Sequence, residues 1–124
     1  MKRFLPLMSV LVVAMTACGG PTQDYNAFAT CIANSGAKFY GAFWCPHCKD
    51  QKEMFGDAAE KLPYVECAEG GKNAQVQLCL DEKVESYPTW KFQDGTTHVG
   101  TMELQDLADQ TACPLDAPES VMRQ

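Results

Sequence analysis

The chain has 124 residues, of which 46% are hydrophobic and 21% are charged, a length that supports one small domain with one core. Sixteen acidic residues against ten basic ones give a net charge of −6 at pH 7. Because phosphate binding needs a basic patch, we expect no nucleic-acid partner. The chain also has seven cysteines, so their pairing and their redox compartment bear directly on function.

The N-terminus has the layout of an export signal. Two basic residues precede an apolar run from Phe4 to Met15, and small residues follow before Cys18. The run is shorter than the roughly 20 residues that a membrane-spanning helix needs. The segment MTAC, which ends at Cys18, resembles a bacterial lipobox, whose cysteine becomes the lipidated first residue of the mature protein. We therefore predict a lipoprotein-type signal peptide at residues 1–17, with ordinary secretory cleavage or a buried N-terminal helix as the alternatives.

The rest of the chain divides into a tether, one domain and a tail. Residues 18–23 begin with the lipidated Cys18 and form a tether that reaches only ~20 Å when extended. Residues 24–113 form the folded domain, and residues 114–124 form a C-terminal tail. Removal of residues 1–17 takes away two basic residues and no acidic ones, so the mature chain is more acidic than the precursor. Its acidity favours solubility.

Within the domain, helical and strand patterns alternate. Helical patterns are apolar residues three and four apart, and strand patterns are short, nearly continuous apolar runs. Asn73 is a plausible N-cap, and Asp94-Gly95 is a strong hairpin signal. In chain order the patterns predict a helix at 24–34, a buried central strand at 38–43, a helix from Cys45 that stops at Pro63, a strand at 64–67, a helix from Asn73, hairpin strands at 89–92 and 96–99, and a last helix around Leu107.

Cys45 and Cys48 form a C-x-x-C pair directly after an aromatic run. Such a pair alone fits a metal site, a structural disulfide or a redox pair. Cys45 is predicted at a helix N-terminus, where the missing N–H of Pro46 costs nothing and where the helix dipole favours a thiolate. Cys48 lies one turn further on and can attack a mixed disulfide on Cys45. As a redox pair, Cys45 would be the nucleophile and Cys48 the resolving cysteine.

The neighbours of this pair have predicted roles as well. His47 can carry positive charge near Cys45, which favours the reduced form and makes the disulfide more oxidising. An exposed turn residue without redox influence is the alternative. We expect the aromatic side chains to lie mainly in the core, with Trp44 also bordering the site. These aromatic residues are Phe43, Trp44, Trp90 and Phe92.

Three motifs in this order resemble the thioredoxin superfamily: the C-x-x-C at a strand-to-helix junction, YVEC at 64–67 and YPTW at 87–90. The segments YGAFWCPHCKDQKEMFG, YVEC and ESYPTW especially resemble the thioredoxin-like domain fused to bacterial homologues of vitamin K epoxide reductase. The resemblance implies an α/β thioredoxin fold, with a central mixed sheet of about four strands flanked by helices on both faces.

The resemblance also assigns further site residues. It implies that Pro88 is a cis proline against the active disulfide and that the backbone of Tyr87 pairs with a substrate peptide; a trans proline that opens a strand is the alternative. The sequence Cys-Pro-His-Cys also occurs in a strong periplasmic oxidant of this superfamily. Thioredoxins usually bury an acid six residues before the first cysteine, where this chain has Phe39. That departure weakens the case for an efficient general reductase.

The other four cysteines suggest disulfides in an exported chain. Cys67 and Cys79 flank a loop and a helix, and their disulfide would be a structural staple or a second pair that relays electrons. Cys31 and Cys113 remain as the other possible disulfide. This bond would tie the first helix to the chain after the last helix, although these two helices are expected on opposite faces of the sheet. A zinc site formed by Cys45, Cys48, Cys67 and Cys79 is disfavoured. Structural zinc prefers two closely spaced ligand pairs, and Cys67 and Cys79 are far apart in sequence. We expect neither a metal nor another cofactor.

We therefore predict a monomeric thiol-disulfide oxidoreductase in the bacterial cell envelope, lipid-anchored and facing the periplasm or the outside. In the favoured direction, it passes its disulfide to the thiols of exported proteins, and a membrane-embedded, quinone-linked oxidase resembling vitamin K epoxide reductase restores it. One alternative is a reductase or isomerase kept reduced by a membrane electron carrier. Another is a redox-dependent assembly factor that holds clients at Tyr87 and Pro88 without turnover.

Overall fold

The computed structural model describes residues 23–115. The predicted signal peptide, Cys18 and the tail from residue 116 lie outside these described residues. In this part of the chain no helix is both long and apolar enough to cross a membrane. The elements are α1 (Asn26–Asn34), β1 (Lys38–Gly41), α2 (Pro46–Glu53), a 3-10 helix (Gly56–Lys61), β2 (Tyr64–Glu66), α3 (Val76–Asp81), β3 (Thr89–Lys91), β4 (Thr97–Val99) and α4 (Leu104–Thr111).

The four strands form one mixed sheet in the order β2-β1-β3-β4. β1 is parallel to β2 and antiparallel to β3, and β3 is antiparallel to β4. Phe39 and Tyr40 of β1 point to opposite faces and are both buried, as expected of a central strand. This architecture confirms the predicted α/β fold with a four-stranded mixed sheet and helices on both faces.

The two faces of the sheet bury cores of unequal size. On one face, Phe39 and Trp90 stack with their ring centroids 4.7 Å apart, inside the larger core. On the other face, Tyr40 and Val65 pack with the disulfide-bonded Cys79 of α3 in a smaller core. The larger core also contains side chains from α1, α2, the 3-10 helix and α4.

The expectation that the first and last helices lie on opposite faces is wrong. Ile32 of α1 and Leu107 of α4 both belong to the core around Phe39 and Trp90, so both helices cover the same face. The small face is covered by the short α3. This arrangement brings the end of α4 beside α1, within reach of a covalent link.

Two predicted helices have different bounds in the structure. The helix after Cys45 ends at Glu53, and a 3-10 helix follows it from Gly56, whose φ of +56° lies in the left-handed region and interrupts an α-helix. The third helix begins at Val76, three residues after the predicted N-cap. Asn73 does not cap it, because this residue also has a positive φ, of 54°, and a turn intervenes.

Candidate active site

Cys45 and Cys48 lie at the junction between β1 and α2. A turn after β1 is closed by the Cys45 backbone N–H, which donates to the carbonyl of Ala42 at 3.0 Å. Cys45 is the N-cap of α2, and Pro46 occupies its first turn, as expected of proline. The Cys45 Sγ accepts the backbone N–H of Cys48 at 3.2 Å. Its sulfur thus occupies the position of a capping oxygen, where partial positive charge gathers.

The two thiols are already close enough for exchange chemistry. Both cysteines are free and buried, and the Cys48 thiol donates to the Cys45 sulfur with the two Sγ atoms 2.6 Å apart. Closing a disulfide to its standard length requires a movement of only about 0.5 Å. The pair can therefore alternate between dithiol and disulfide with little change in the surrounding fold.

The resolving position is held protonated by its surroundings. Burial raises the pKa of Cys48 from 9.0 to about 12, and its hydrogen bond to Cys45 acts in the same direction. The positive charge of Lys52, one turn further along α2, opposes this shift. Because a thiolate is the attacking species, Cys48 must lose its proton during each exchange cycle.

The expectation that Phe43 and Trp44 are mainly core residues is wrong. Phe43 is 61% exposed and Trp44 is 62% exposed, whereas Trp90 and Phe92 are buried as expected. Phe43 and Trp44 follow the end of β1, in the loop before α2, where no neighbouring element covers them. Trp44 does border the cysteine pair, and the two aromatic rings give the site an apolar rim.

Tyr87 and Pro88 lie beside this rim. The peptide bond between them is cis, and Pro88 is fully buried at the start of β3. The Tyr87 ring meets the edge of Trp44 with centroids 5.8 Å apart. The segment before β3 thus lies next to the loop that carries Cys45, and the predicted packing of Pro88 against the active disulfide stays a prediction. A role in pairing with a substrate peptide stays a prediction.

His47 points away from the fold. Its side chain is 74% exposed, and Nδ1 lies 3.7 Å from the carboxylate of Asp50. The backbone carbonyl of His47 accepts a hydrogen bond from Thr101 at 3.4 Å. Any charge on this imidazole is therefore partly balanced by Asp50 and screened by solvent. Its predicted influence on the redox potential stays a prediction.

The remaining cysteines of the described region are paired. Cys67 is disulfide-bonded to Cys79, and Cys31 to Cys113. Because Cys67 and Cys79 are bonded to each other, they are not available as zinc ligands. Residues 23–115 contain no cluster of three or more His, Cys, Asp or Glu side chains that could hold a metal.

Sequence reasoning missed two linked polar residues, Tyr64, which approaches Cys48 at Gly41, and Glu66, which accepts the Tyr64 hydroxyl. Both lie on β2, and Glu66 is the parallel partner of Gly41, four residues before Cys45. The motif YVEC contains both residues, but only the register of β2 on β1 shows that Tyr64 approaches Cys48. Phe39, which stands where the resemblance implied an acid, is fully buried against Trp90.

Comparisons with known proteins agree with this geometry. The thioredoxin family model matches residues 24–112. The thiol-disulfide oxidoreductase LTO1 of Arabidopsis thaliana is 45% identical over 94 residues, which cover 73% of this chain and 25% of that protein. The chain thus spans about a quarter of the length of this curated relative. With a fold, a cysteine pair and a family match that all coincide over the described domain, the chain belongs to the thioredoxin family.

Proposed function

We propose that the chain is a thiol-disulfide oxidoreductase whose Cys45–Cys48 pair exchanges disulfides with protein thiols. The observation that carries this proposal is the geometry of the pair, with two free thiols 2.6 Å apart at the start of α2. Membership of the thioredoxin family and the 45% identity to a thiol-disulfide oxidoreductase support the same reaction class.

In the direction that we favour, the chain is a disulfide donor. A substrate thiolate attacks Cys45 of the oxidised pair, the Cys45–Cys48 bond breaks, and Cys48 leaves as a thiolate that takes up a proton. A second substrate thiolate then attacks the substrate sulfur of the mixed disulfide, and Cys45 leaves. The substrate gains a disulfide and loses two electrons, which the Cys45–Cys48 dithiol now holds.

Two features favour this direction over general reduction. His47 stands between the cysteines, where positive charge stabilises the reduced form. Phe39 replaces the buried acid of a typical thioredoxin, so the proton acceptor that an efficient thioredoxin-type reductase uses is absent from that position. A reductase or isomerase kept reduced by a membrane electron carrier is the alternative within the same reaction class.

We further propose that a membrane-embedded, quinone-linked oxidase resembling vitamin K epoxide reductase reoxidises the pair. The motifs around Cys45, Tyr64 and Tyr87 support this proposal, because they resemble the thioredoxin-like domains fused to such oxidases.

The site of action that we propose is the bacterial cell envelope. The signal-like residues 1–17 and a lipid on Cys18 would tether the domain to a membrane, facing the periplasm or the outside. The two further disulfides support an oxidising compartment, because such bonds persist there and are rare in the cytosol. Exported proteins are then the substrates.

A client-binding factor without turnover is the second candidate. The exposed Phe43 and Trp44 favour it, since an apolar rim of two aromatic rings can hold an unfolded peptide without any exchange. Such a factor would retain its clients when Cys45 is replaced, whereas an oxidoreductase would lose its activity.

The test is a redox titration of the mature chain against glutathione, combined with trapping. We expect a reduction potential near the oxidising end of the family, about −120 mV, and a value near about −270 mV would favour the reductase. His47→Ala should lower the potential. Cys48→Ala should accumulate Cys45-linked mixed disulfides with exported proteins, and the Cys45→Ser/Cys48→Ala variant is the matched control. The absence of adducts specific to Cys45 would refute the exchange mechanism.

A further inference from the structure

A buried carboxylate lies one hydrogen bond away from a tyrosine that approaches Cys48, and it has no role in the exchange described so far. Glu66 is only 5% exposed, on a strand that is paired directly with β1. One of its oxygens accepts the hydroxyl of Tyr64 and the backbone N–H of Ala68, each at 3.3 Å. Its side chain also fills the space above Gly71, where a Cβ would lie 2.5 Å from Oε1. The carboxylate is therefore held in one place and linked to one phenol.

That phenol extends towards Cys48. A Cβ on Gly41 would lie 2.9 Å from Sγ of Cys48, 2.7 Å from Cε2 of Tyr64 and 3.3 Å from its hydroxyl oxygen. The thiol and the hydroxyl thus flank the same bare backbone position. The Cys48 sulfur and the Tyr64 hydroxyl oxygen are therefore no farther apart than the sum of their two distances to a Cβ on Gly41, and one water can bridge such a gap. Only glycine at position 41 permits this approach.

The charges that act on Cys48 come from α2 and its N-cap. α2 contributes Cys45 and Lys52, and the Lys52 Nζ lies 3.5 Å from the centroid of the Tyr64 ring. β2 contributes Tyr64, which approaches Cys48, and Glu66, which acts on Tyr64. β1 faces the thiol with Gly41 and Phe39, neither of which titrates. Glu66 is therefore the carboxylate on the strands that pack against Cys48.

Tyr64 is suited to pass a proton rather than to hold a charge. Its pKa is raised, first by burial and then by the negative charge of Glu66. The hydroxyl is therefore neutral at physiological pH, and it already donates to Glu66. A neutral hydroxyl can give one proton to a carboxylate while it takes another from a thiol.

We propose that Glu66 accepts the proton of the Cys48 thiol through the Tyr64 hydroxyl, and returns it in the reverse direction. The inference rests on the proposed exchange function of the pair. Tyr64 and Glu66 would thus serve the step for which Phe39 offers no proton acceptor.

The step balances as follows for a mixed disulfide on Cys45. Cys48 gives its proton, through the bridging water, to the Tyr64 oxygen as Tyr64 gives its own proton to Glu66. The Cys48 thiolate attacks the sulfur of Cys45, the Cys45–Cys48 bond forms, and the bond from Cys45 to the substrate sulfur breaks. The substrate leaves as a thiolate and is protonated by solvent, while Glu66 releases its proton to water. When the chain donates a disulfide, each of these events runs backwards.

The test separates the two chemical steps with glutathione disulfide as the probe. The reduced mature chain is mixed with a high concentration of the probe. Samples are quenched with acid at intervals, and the mass of the protein in each sample is measured by mass spectrometry. Attack by Cys45 adds one glutathione, and resolution by Cys48 removes it. We expect Glu66→Gln and Tyr64→Phe each to slow resolution by about 10- to 100-fold at neutral pH, within the range of general acid–base catalysis. The first step should keep its rate.

Each variant has a matched control. Glu69→Gln removes an exposed carboxylate three residues away, and Tyr40→Phe removes a hydroxyl from the opposite face of the same sheet. The pH profile provides the second readout, since resolution in the two relay variants should rise steeply with pH as hydroxide replaces the acceptor. Tyr64→Phe keeps the ring in place, so the test does not depend on the folding of Glu66→Gln.

The outcomes distinguish this inference from the function on which it rests. Resolution that is as fast in Tyr64→Phe as in the wild type would overturn the relay and leave the exchange function intact. The same conclusion follows if Tyr40→Phe slows resolution equally. If no glutathione adduct forms on Cys45 even in Cys48→Ala, the exchange function itself fails and the relay fails with it.

Discussion

Cys48 makes the stability of the reduced protein sensitive to alkaline pH. Because its pKa in the folded protein is raised from 9.0 to about 12, the folded state keeps this proton at pH values where the unfolded chain has lost it. This contribution to stability is complete below the ordinary thiol pKa and is lost as the pH rises through the folded value. The raised pKa of Tyr64 acts in the same direction.

We therefore expect the free energy of unfolding of the reduced protein to fall between about pH 9 and pH 12 more steeply than that of the oxidised protein, which has no Cys48 thiol. Urea titrations of both forms across this range measure the difference. Reduced Cys48→Ala is the control, and its pH dependence should approach that of the oxidised form. Parallel curves for the reduced and oxidised proteins would contradict the assignment.

For single residues, the sequence predicts the chemical role of a side chain better than it predicts which parts of the fold surround that side chain. Cys45, Pro46 and Cys48 are close in the chain, so their spacing and a helix start are enough to place them together. The burial of Phe43 and Trp44 was predicted wrongly, because apolarity does not reveal whether another element covers a loop. Tyr64 was missed for a related reason, since its approach to Cys48 depends on the pairing of β2 with β1 and on the bare Gly41.

Among the elements, α2 is anchored to the rest of the domain by one buried side chain. Gln51 is fully buried, and its Oε1 accepts the indole N–H of Trp90 at 3.1 Å and the backbone N–H of Met102 at 2.8 Å. Its Nε2 donates to the carbonyl of Met102 at 3.0 Å. The helix that starts with the active cysteines is thereby fixed to β3 and to the segment before α4.

We expect Gln51→Leu to destabilise the protein by about 3 kcal/mol or more, because it leaves three buried groups without hydrogen bonds at about 1 to 3 kcal/mol each. Equilibrium urea unfolding measures this loss. Gln77→Leu is the control, since Gln77 is exposed and bonds only to Asp81 in the same helix. A loss no larger than that of the control would show that the three hydrogen bonds contribute little.

The order of the elements could be predicted, but their ends could not. Periodicity placed the four α-helices and the four strands of the described domain in the correct order, but it did not predict the 3-10 helix at Gly56–Lys61 as a separate element. It extended the second helix through Gly56 and started the third at Asn73, because both residues adopt a positive φ that the apolar spacing does not record. Such boundaries depend on the backbone conformation of single residues, and neither a glycine nor an asparagine always adopts a positive φ.

Over the whole molecule, two disulfides close loops of very different length. Cys31 and Cys113 are 82 residues apart and join α1 to the chain just after α4, whereas Cys67 and Cys79 are 12 residues apart. In the chain-entropy treatment, a cross-link stabilises a protein more when it closes a longer loop. The first bond therefore constrains nearly the whole domain, and the second constrains one local segment.

We expect Cys31→Ala/Cys113→Ala to lower the free energy of unfolding by about 4 to 5 kcal/mol, and Cys67→Ala/Cys79→Ala by about 3 kcal/mol. Urea unfolding of the two double variants, with each serving as the control for the other, measures the difference. Equal losses would contradict the loop-length account. Retained exchange activity in Cys67→Ala/Cys79→Ala would favour a structural staple over an electron relay for that bond.

The fold class followed from the order of motifs, but the packing of the helices did not. A strand-helix sequence does not specify which face each helix covers, so α1 and α4 were expected apart although both pack on Phe39 and Trp90. The Cys31–Cys113 bond depends on that shared face. Long-range geometry of this kind arises only when the whole core is assembled.

The two tryptophans of the chain stand in opposite environments. Trp44 projects into solvent beside the cysteine pair, whereas Trp90 lies in the core. Trp90 is stacked with Phe39 and Phe92, and its indole N–H donates a hydrogen bond to Gln51. An indole in water emits at longer wavelength than one in an apolar interior. The long-wavelength part of the fluorescence therefore reports events at the dithiol, and the short-wavelength part reports the integrity of the core, so one label-free spectrum follows docking and unfolding separately.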